Sequence, residues 1–155
     1  MDLKKVLPPE AVCVDLAAPD KDAALAAMCR QASRLCRLQE DEVLAAVLER
    51  ESLGSTGLGS GVALPHGRAE GLDGLFMILA RTAPDCALDF GSPDGQPVRL
   101  AALLLSPAQA VSEHLKVLAL LGRLWKSQEN IRLLLAAPDR ETFYNLFLEL
   151  AAGSL

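Results

Sequence analysis

The sequence predicts a single α/β domain spanning residues 1–155, with a central, mostly buried mixed β-sheet flanked by helices on both faces. Two segments, 75–80 and 98–105, are almost continuously apolar, which is typical of strands covered on both faces of a sheet. Amphipathic helical patterns precede and follow these strands, so helices are available to cover each face. Hydrophobic residues make up 51% of the chain, as expected for a domain with one substantial core.

The first third of the chain predicts one edge strand and two helices. Residues 12–14, Val-Cys-Val, form a short strand after a Pro-Pro pair. A helix then begins after a proline, with Asp20 or Asp22 as its cap, and its apolar residues recur at spacings of three and four. The second helix ends near Ser52, where Gly54 supplies a C-terminal stop.

The last two-thirds of the chain predict two interior strands followed by three helices. A loop rich in Pro, Gly, Asp and Ser at 85–95 separates the strands. A long helix follows Ser112, a short helix opens at Ser127 or Gln128, and a last helix restarts at Asp139. The predicted apolar face of the long helix includes Leu115, Leu118, Leu121, Leu124 and Trp125.

The stretch from residue 49 to residue 67 carries the strongest local signal. Its four glycines between Gly54 and Gly61 allow positive φ angles and close approach to the backbone, so several N–H groups can converge on an anion. Residues 62–64 predict a buried strand, and Pro65 holds the chain extended before His66. A simple turn with a solvent-facing imidazole is the alternative. The functional interpretation places His66 at the end of a rigid strand, beside an anion-binding loop.

This stretch resembles the signature of the mannitol/fructose-type (type 2) enzyme IIA domains of the bacterial phosphotransferase system. Residues 49–51 read Glu-Arg-Glu, residues 54–59 read Gly-Ser-Thr-Gly-Leu-Gly, and residues 63–66 read Ala-Leu-Pro-His. The continuation His-Gly-Arg at 66–68 is most like the nitrogen-regulatory branch of the family. The resemblance covers nearly the entire chain and implies the mannitol/fructose-type enzyme IIA fold.

The resemblance also implies a role for each site residue. His66 is the expected phosphoryl acceptor, through Nε2, with Nδ1 bonded to backbone or a side chain. His114, otherwise a solvent-facing residue of a helix start, and Arg50, otherwise a partner of the helix dipole, are implied to bond the phosphoryl oxygens. Arg68 and Arg81 are predicted to be solvated. The phosphoryl-binding loop consists of Ser55, Thr56, Gly57, Gly59 and Gly61.

No metal or cofactor is predicted. No Cys-x-x-Cys pair and no Gly-Lys-Ser/Thr phosphate loop occurs in the sequence. A net charge of −5 argues against nucleic-acid binding. No apolar segment approaches the ~20 residues of a membrane span, and no secretory signal is present, so a cytoplasmic location is expected. The cysteines predicted to be small core residues are Cys13, Cys29, Cys36 and Cys86.

The implied function is that of a phosphocarrier, which receives a phosphoryl group from a phosphohistidine on an HPr-like protein at an apolar rim that includes Leu58 and Leu64. A nitrogen-related regulatory role with protein targets is preferred, and a sugar-specific component that hands the phosphoryl group to a IIB domain is the alternative. Two other classes stay open. One is an interaction module without phosphoryl chemistry, and the other is a hydrolase using Ser55 or Ser60, which lacks the Gly-x-Ser-x-Gly elbow.

Overall fold

The computed structural model describes residues 2–155, which form a six-stranded mixed sheet and six α-helices. The strands are β1 (Val12–Leu16), β2 (Gly57–Gly59), β3 (Val62–Ala63), β4 (His66–Arg68), β5 (Phe76–Thr82) and β6 (Leu100–Ser106). The helices are α1 (Leu3–Val6), α2 (Lys21–Cys36), α3 (Glu40–Ser52), α4 (Val111–Lys126), α5 (Gln128–Ala136) and α6 (Arg140–Gly153). Within residues 2–155, none of these helices combines the length and apolar character that a bilayer span requires.

Strand β6 lies in the interior of the sheet. One edge of β6 pairs with β5 in antiparallel orientation, and β1 runs parallel to β5 beyond it. The other edge of β6 pairs in parallel first with β3 and then with β4, and β2 forms a hairpin with β3. All seven residues of β6 are buried. Because successive side chains of a strand point to opposite faces, both faces of the sheet are covered, and the predicted fold class is confirmed.

The helices that cover the sheet form two groups. Helix α2 packs against α3 and β5, whereas α4, α5 and α6 pack against one another and α6 contacts β1. Of the two predicted caps for α2, Asp20 is the one used, because its carboxylate accepts the backbone N–H of Ala23 at 2.8 Å. Asp139 caps α6 in the same way, accepting the N–H of Thr142 at 2.7 Å.

The predicted strand that leads to His66 is divided in the structure. Strand β3 ends at Ala63, and His66 opens a separate strand, β4, in register with Leu104. Pro65 interrupts the ladder because it has no N–H to donate, although its carbonyl oxygen still accepts the N–H of Leu104 at 2.9 Å. His66 therefore stands at the beginning of a strand beside β6, and the prediction that it ends one is wrong.

The buried face of α4 matches the prediction in part, because Leu121, Leu124 and Trp125 are buried as predicted and Leu115 is not. Leu115 is 61% exposed, whereas its neighbour His114 is only 7% exposed. The interior positions include His114, Val117, Leu121 and Leu124, at spacings of three, four and three, together with Leu120 and Trp125. Because one residue rotates a helix by about 100°, Leu115 falls outside this buried face. His114 thus occupies an interior position that the leucine pattern concealed.

Arg81, predicted to be solvated, instead caps the C-terminus of α5. Its Nη1 donates to the carbonyl oxygens of Leu134 and Ala137 at 2.9 and 2.8 Å, and its guanidinium lies 5.2 Å from the ring centroid of Phe143. The last carbonyls of a helix have no partner within the helix, so an arginine there satisfies them. Arg81 therefore ties β5 to α5.

The cysteines are less buried than predicted. All four thiols are free, but only Cys29 belongs to the fully buried core. The other three, which are only partly buried, are Cys13, Cys36 and Cys86. Burial raises the pKa of the Cys29 thiol to about 12, with a smaller contribution from the charge of Glu40. Cys29 is thus a structural residue with little thiolate character.

Candidate functional site

A cleft of about 400 Å³ brings together three of the predicted site residues, His66, His114 and Arg50. They come from the start of β4, the first turn of α4 and the last turn of α3. The cleft is lined by Ala46, Glu49, Arg50, Leu53, His66, Gly67, Arg68 and His114. Three elements that are distant in the chain therefore converge on one site.

The imidazole of His66 is oriented by the backbone. Its Nδ1 lies 2.9 Å from the carbonyl oxygen of Leu64. A carbonyl oxygen can only accept, so Nδ1 carries the hydrogen and, in the neutral ring, Nε2 holds the lone pair. The ring is partly exposed and borders the cleft. The predicted hydrogen bond from Nδ1 to the backbone is therefore present.

The second histidine is buried and lies beside the first. The ring centroids of His66 and His114 are 5.5 Å apart, with an interplanar angle of 63°. The pKa of His114 is lowered to about 4, mainly by burial and further by the electrostatic effect of the neighbouring Arg68 and His66 side chains. His114 is therefore a neutral imidazole at neutral pH. Its Nδ1 forms a hydrogen bond with the hydroxyl of Ser106, the last residue of β6.

Two arginines border the cleft. Arg50 donates from Nη1 to the carbonyl oxygen of Gly54 at 2.8 Å, and Arg68 donates from Nη1 to that of Pro107 at 3.2 Å. Each guanidinium has five N–H donors, so one such bond orients the group and leaves other donors free for an anion. Sequence reasoning missed Arg68 as a site residue. The available signal was its position two residues after His66 on one strand, which places both side chains on the same face.

The loop residues predicted to bind phosphoryl oxygens lie outside the cleft lining. The Ser55 hydroxyl donates to the carbonyl oxygen of Phe90, and the Thr56 hydroxyl donates to the buried carboxylate of Glu51. Glu51 also accepts the backbone N–H of Thr56 at 3.3 Å and pairs with Lys21 at 3.3 Å. These hydroxyls are therefore engaged in holding the loop to α3 and to the segment around Phe90.

The glycines of this loop serve a hairpin and a close contact. Gly59 and Gly61 adopt φ angles of +92° and +79° at the turn between β2 and β3, a region that favours glycine. A Cβ added at Gly57 would lie 2.2 Å from the hydroxyl oxygen of Ser92, so no side chain fits there without a shift. Direct contact of these glycines with a phosphoryl group stays a prediction.

The predicted apolar rim differs from the one observed. Leu64 is buried, and Leu58, although 48% exposed, is not among the residues that line the cleft. The exposed apolar residue at the cleft is Leu53, at the end of α3, which is 81% exposed. Leu53 was not predicted as part of the apolar rim, because the helical spacing of apolar residues did not indicate that it would lie on an apolar surface.

The chemistry of this arrangement suits a tetrahedral anion. One imidazole offers a lone pair, a second, neutral imidazole lies beside it, and two guanidinium groups supply positive charge and N–H donors. Across residues 2–155, no three histidine, cysteine, aspartate or glutamate side chains are grouped closely enough to hold a metal ion.

Comparison with known proteins agrees with the fold. A nitrogen regulatory protein from Bradyrhizobium diazoefficiens is 38% identical over 146 residues, which cover 94% of each chain. The crystal structure of nitrogen regulatory protein IIA-Ntr from Neisseria meningitidis has a TM-score of 0.86 at 31% identity and covers 93% of this chain and 97% of its own.

A more distant match shows the fold alone. The solution structure of the complex of enzyme IIAMTL and phosphorylated enzyme IIBMTL from Escherichia coli matches with a TM-score of 0.73 at 24% identity, covering 93% of this chain and 95% of that chain.

Residues 5–150 match the family model described as phosphoenolpyruvate-dependent sugar phosphotransferase system, EIIA 2. The chain therefore belongs to the EIIA 2 family of the phosphotransferase system.

Proposed function

We propose that this protein is a histidine phosphocarrier in which Nε2 of His66 accepts a phosphoryl group from a phosphohistidine of an HPr-like protein. The observation that carries the proposal is the hydrogen bond from Nδ1 of His66 to the carbonyl oxygen of Leu64. It leaves a lone pair on Nε2, in a cleft that also holds a neutral histidine and two arginines. A nucleophile of this kind needs no further deprotonation before it attacks phosphorus.

The transfer step requires neither a nucleotide nor a water molecule as a reactant. The Nε2 lone pair of His66 forms a bond to phosphorus while the N–P bond of the donor phosphohistidine breaks. The electron pair of the broken bond returns to the donor imidazole. One N–P bond replaces another of similar lability, so the reaction is reversible, and the protein mainly has to position the groups and stabilise charge.

Each remaining group of the cleft has a role in charge stabilisation. Arg50 and Arg68 neutralise the phosphoryl oxygens from two sides, and His114 donates a hydrogen bond to one of them. In this proposal Ser55 and Thr56 act through the backbone. They hold the loop whose Thr56 carbonyl oxygen accepts the N–H of Leu64 at 2.9 Å, and Leu64 is the residue whose own carbonyl oxygen orients His66.

We assign the carrier a nitrogen-related regulatory role. The support comes from the nitrogen regulatory proteins of Bradyrhizobium and Neisseria, which are 38% and 31% identical to this chain. The second candidate, a sugar-specific component that passes the phosphoryl group to a IIB domain, is supported by the fold shared with enzyme IIAMTL, which was determined in complex with a phosphorylated IIB. Two measurements distinguish the regulatory carrier from the sugar-specific component. One is which phosphorylated carrier donates to the protein, and the other is whether the phosphorylated protein transfers its phosphoryl group to a IIB domain.

A hydrolase that uses Ser55 or Ser60 is not supported. Ser55 donates to a backbone carbonyl, and the hydroxyl of Ser60 accepts from the side-chain amide of Gln128 at 2.8 Å. In the described part of the chain, neither hydroxyl is hydrogen-bonded to a histidine or lysine that could act as its general base.

The test is phosphotransfer from labelled phospho-HPr and from the phosphorylated carrier of the nitrogen branch. Wild type, His66→Gln and His114→Gln are compared, because glutamine keeps a polar side chain of similar size. We expect an acid-labile label and a mass gain of about 80 Da on wild type, and no label on His66→Gln. His114→Gln should still be labelled, about 10²-fold more slowly, the cost of losing one donor to developing charge. No label on any protein from either donor would leave the interaction module as the better interpretation.

A further inference from the structure

Ser106 contacts the second histidine from beneath the cleft. Its side chain is fully buried at the end of β6, and its hydroxyl oxygen and Nδ1 of His114 share a hydrogen bond. The direction of this bond decides the tautomer of His114. If the hydroxyl donates, Nδ1 holds the lone pair and Nε2 carries the hydrogen, whereas the reverse direction leaves Nε2 as an acceptor.

The hydrogen-bond inventory of Ser106 determines that direction. Within residues 2–155, the bond to His114 is the only one that the hydroxyl of Ser106 makes. If Nδ1 of His114 were the donor, the hydroxyl hydrogen would remain buried without an acceptor, which is unfavourable because the hydroxyl would lose its hydrogen bonds to water without replacement. Donation by Ser106 leaves no such orphan, because the lone pair of Nδ1 then accepts the hydroxyl hydrogen. The structure therefore favours a hydroxyl donor.

The position of Ser106 is set by the same strand pairing that seats His66. Strand β4 runs parallel to β6, with His66 opposite Leu104 and Arg68 opposite Ser106. The carbonyl oxygen of Ser106 accepts the N–H of Ala69 at 2.9 Å, which holds this end of the pairing. The two histidines and the serine are thus held by one pair of strands and by the start of α4.

We propose that Ser106 is a positioning residue that holds His114 as the Nε2–H tautomer. His114 can then only donate to a phosphoryl oxygen, and its remaining lone pair, on Nδ1, is occupied by the serine hydroxyl. His66 has the opposite arrangement, since its Nδ1 donates to a carbonyl oxygen and its Nε2 lone pair is free. The role in transfer rests on the proposed function, but the tautomer assignment does not depend on it.

The first test measures the tautomer in the unphosphorylated protein. Protein labelled with ¹⁵N in its histidine rings is examined by long-range ¹H–¹⁵N correlation at neutral pH, and the His114 signals are assigned by their absence in His114→Gln. We expect a protonated Nε2 and a hydrogen-bonded, unprotonated Nδ1 for His114, and the reverse pattern of protonation for His66. In Ser106→Ala the Nδ1 resonance of His114 should shift toward that of a free lone pair. A proton on Nδ1 of His114 in wild type overturns the proposal.

The second test measures the consequence for transfer. Ser106→Ala should slow phosphorylation of His66 by about two- to tenfold, the factor that one neutral hydrogen bond provides. Ser106→Thr, which keeps the hydroxyl, should retain the wild-type rate more closely than Ser106→Ala. Ser33→Ala is the matched control, because Ser33 is also buried and its hydroxyl has no hydrogen-bond partner in the structure. It should leave the rate unchanged.

The two tests separate failure of this inference from failure of the proposed function. Phospho-HPr and the small donor phosphoramidate are both used, so that an unsuitable carrier does not conceal a competent site. If neither donor labels wild type, the phosphocarrier proposal fails, and the NMR result alone still decides the tautomer. If wild type is labelled and Ser106→Ala matches it in both rate and Nδ1 chemical shift, Ser106 has no positioning role.

Discussion

The burial of His114 predicts a specific loss of stability in mild acid. Its pKa is about 4 in the folded protein, lowered mainly by burial, and 6.5 in an unfolded chain. The unfolded state therefore takes up a proton first as the pH falls. The contribution of His114 to stability is fully present above pH 6.5 and is lost progressively as the pH approaches 4.

The size of this effect follows from the same two values. Between them, the free energy of unfolding falls by up to 1.36 kcal/mol per pH unit, which amounts to about 3 kcal/mol in total. This total is an upper limit for the loss of unfolding free energy. Because His114 is only 7% exposed, solvent screening reduces it little. About 3 kcal/mol is a large share of the stability of a domain of this size.

The assay is urea denaturation of wild type and His114→Gln from neutral pH down to about pH 4.5. Other groups titrate in both proteins, so the difference between the two curves isolates His114. Wild type should lose stability relative to the variant as the pH falls. Arg68→Gln provides a matched check, because removing its positive charge raises the pKa of His114 and narrows the pH range of the loss. Parallel stability curves for wild type and His114→Gln would refute the conclusion that His114 is held neutral.

Three further predictions concern the loop and the core. Gly57→Ala should lower the free energy of unfolding by about 1–3 kcal/mol, because its Cβ meets the Ser92 hydroxyl at 2.2 Å, and adding Ser92→Ala should recover part of the loss in the same urea titration. Glu51→Ala should cost about 1–3 kcal/mol by leaving the hydroxyl and N–H of Thr56 without their buried acceptor, whereas Thr56→Ser should be close to neutral. Cys29, with a thiol pKa of about 12, should resist iodoacetamide in the native protein and react after unfolding, as mass spectrometry of the labelled peptide would show.

The sequence predicted the architecture well because the elements follow from local patterns. The continuous apolar runs correspond to β5 and β6, which are buried on both faces, and the Asp20 cap begins α2 where the helical period starts. Local patterns failed at Pro65, where the structure interrupts the strand that was predicted to lead to His66. Pro65 divided one predicted strand into two because it has no N–H to donate to the ladder, although both pieces pair with β6.

The candidate site was only partly predictable because its supporting contacts are not local. The motif around His66 pointed to the cleft, but the interior position of His114 depends on the phase of α4 against the sheet, which its leucines do not reveal. Arg68 could have been inferred from its position two residues after His66, whereas the place of Ser106 depends on the pairing of β4 with β6, which no sequence spacing encodes. The glycine loop shows the opposite ambiguity. A glycine needed for a hairpin turn and one needed for anion binding look identical in a sequence.

The two histidines acquire different roles from the partners of their Nδ1 atoms. A carbonyl oxygen, that of Leu64, can only accept, so His66 must carry its hydrogen on Nδ1 and present a lone pair on Nε2. A hydroxyl, that of Ser106, can donate, and it does so because it has no other acceptor within the described chain. His114 then presents a hydrogen on Nε2, and burial prevents it from gaining a second proton near neutral pH. One ring is thereby prepared as a nucleophile and its neighbour as a donor, although the two side chains are chemically identical.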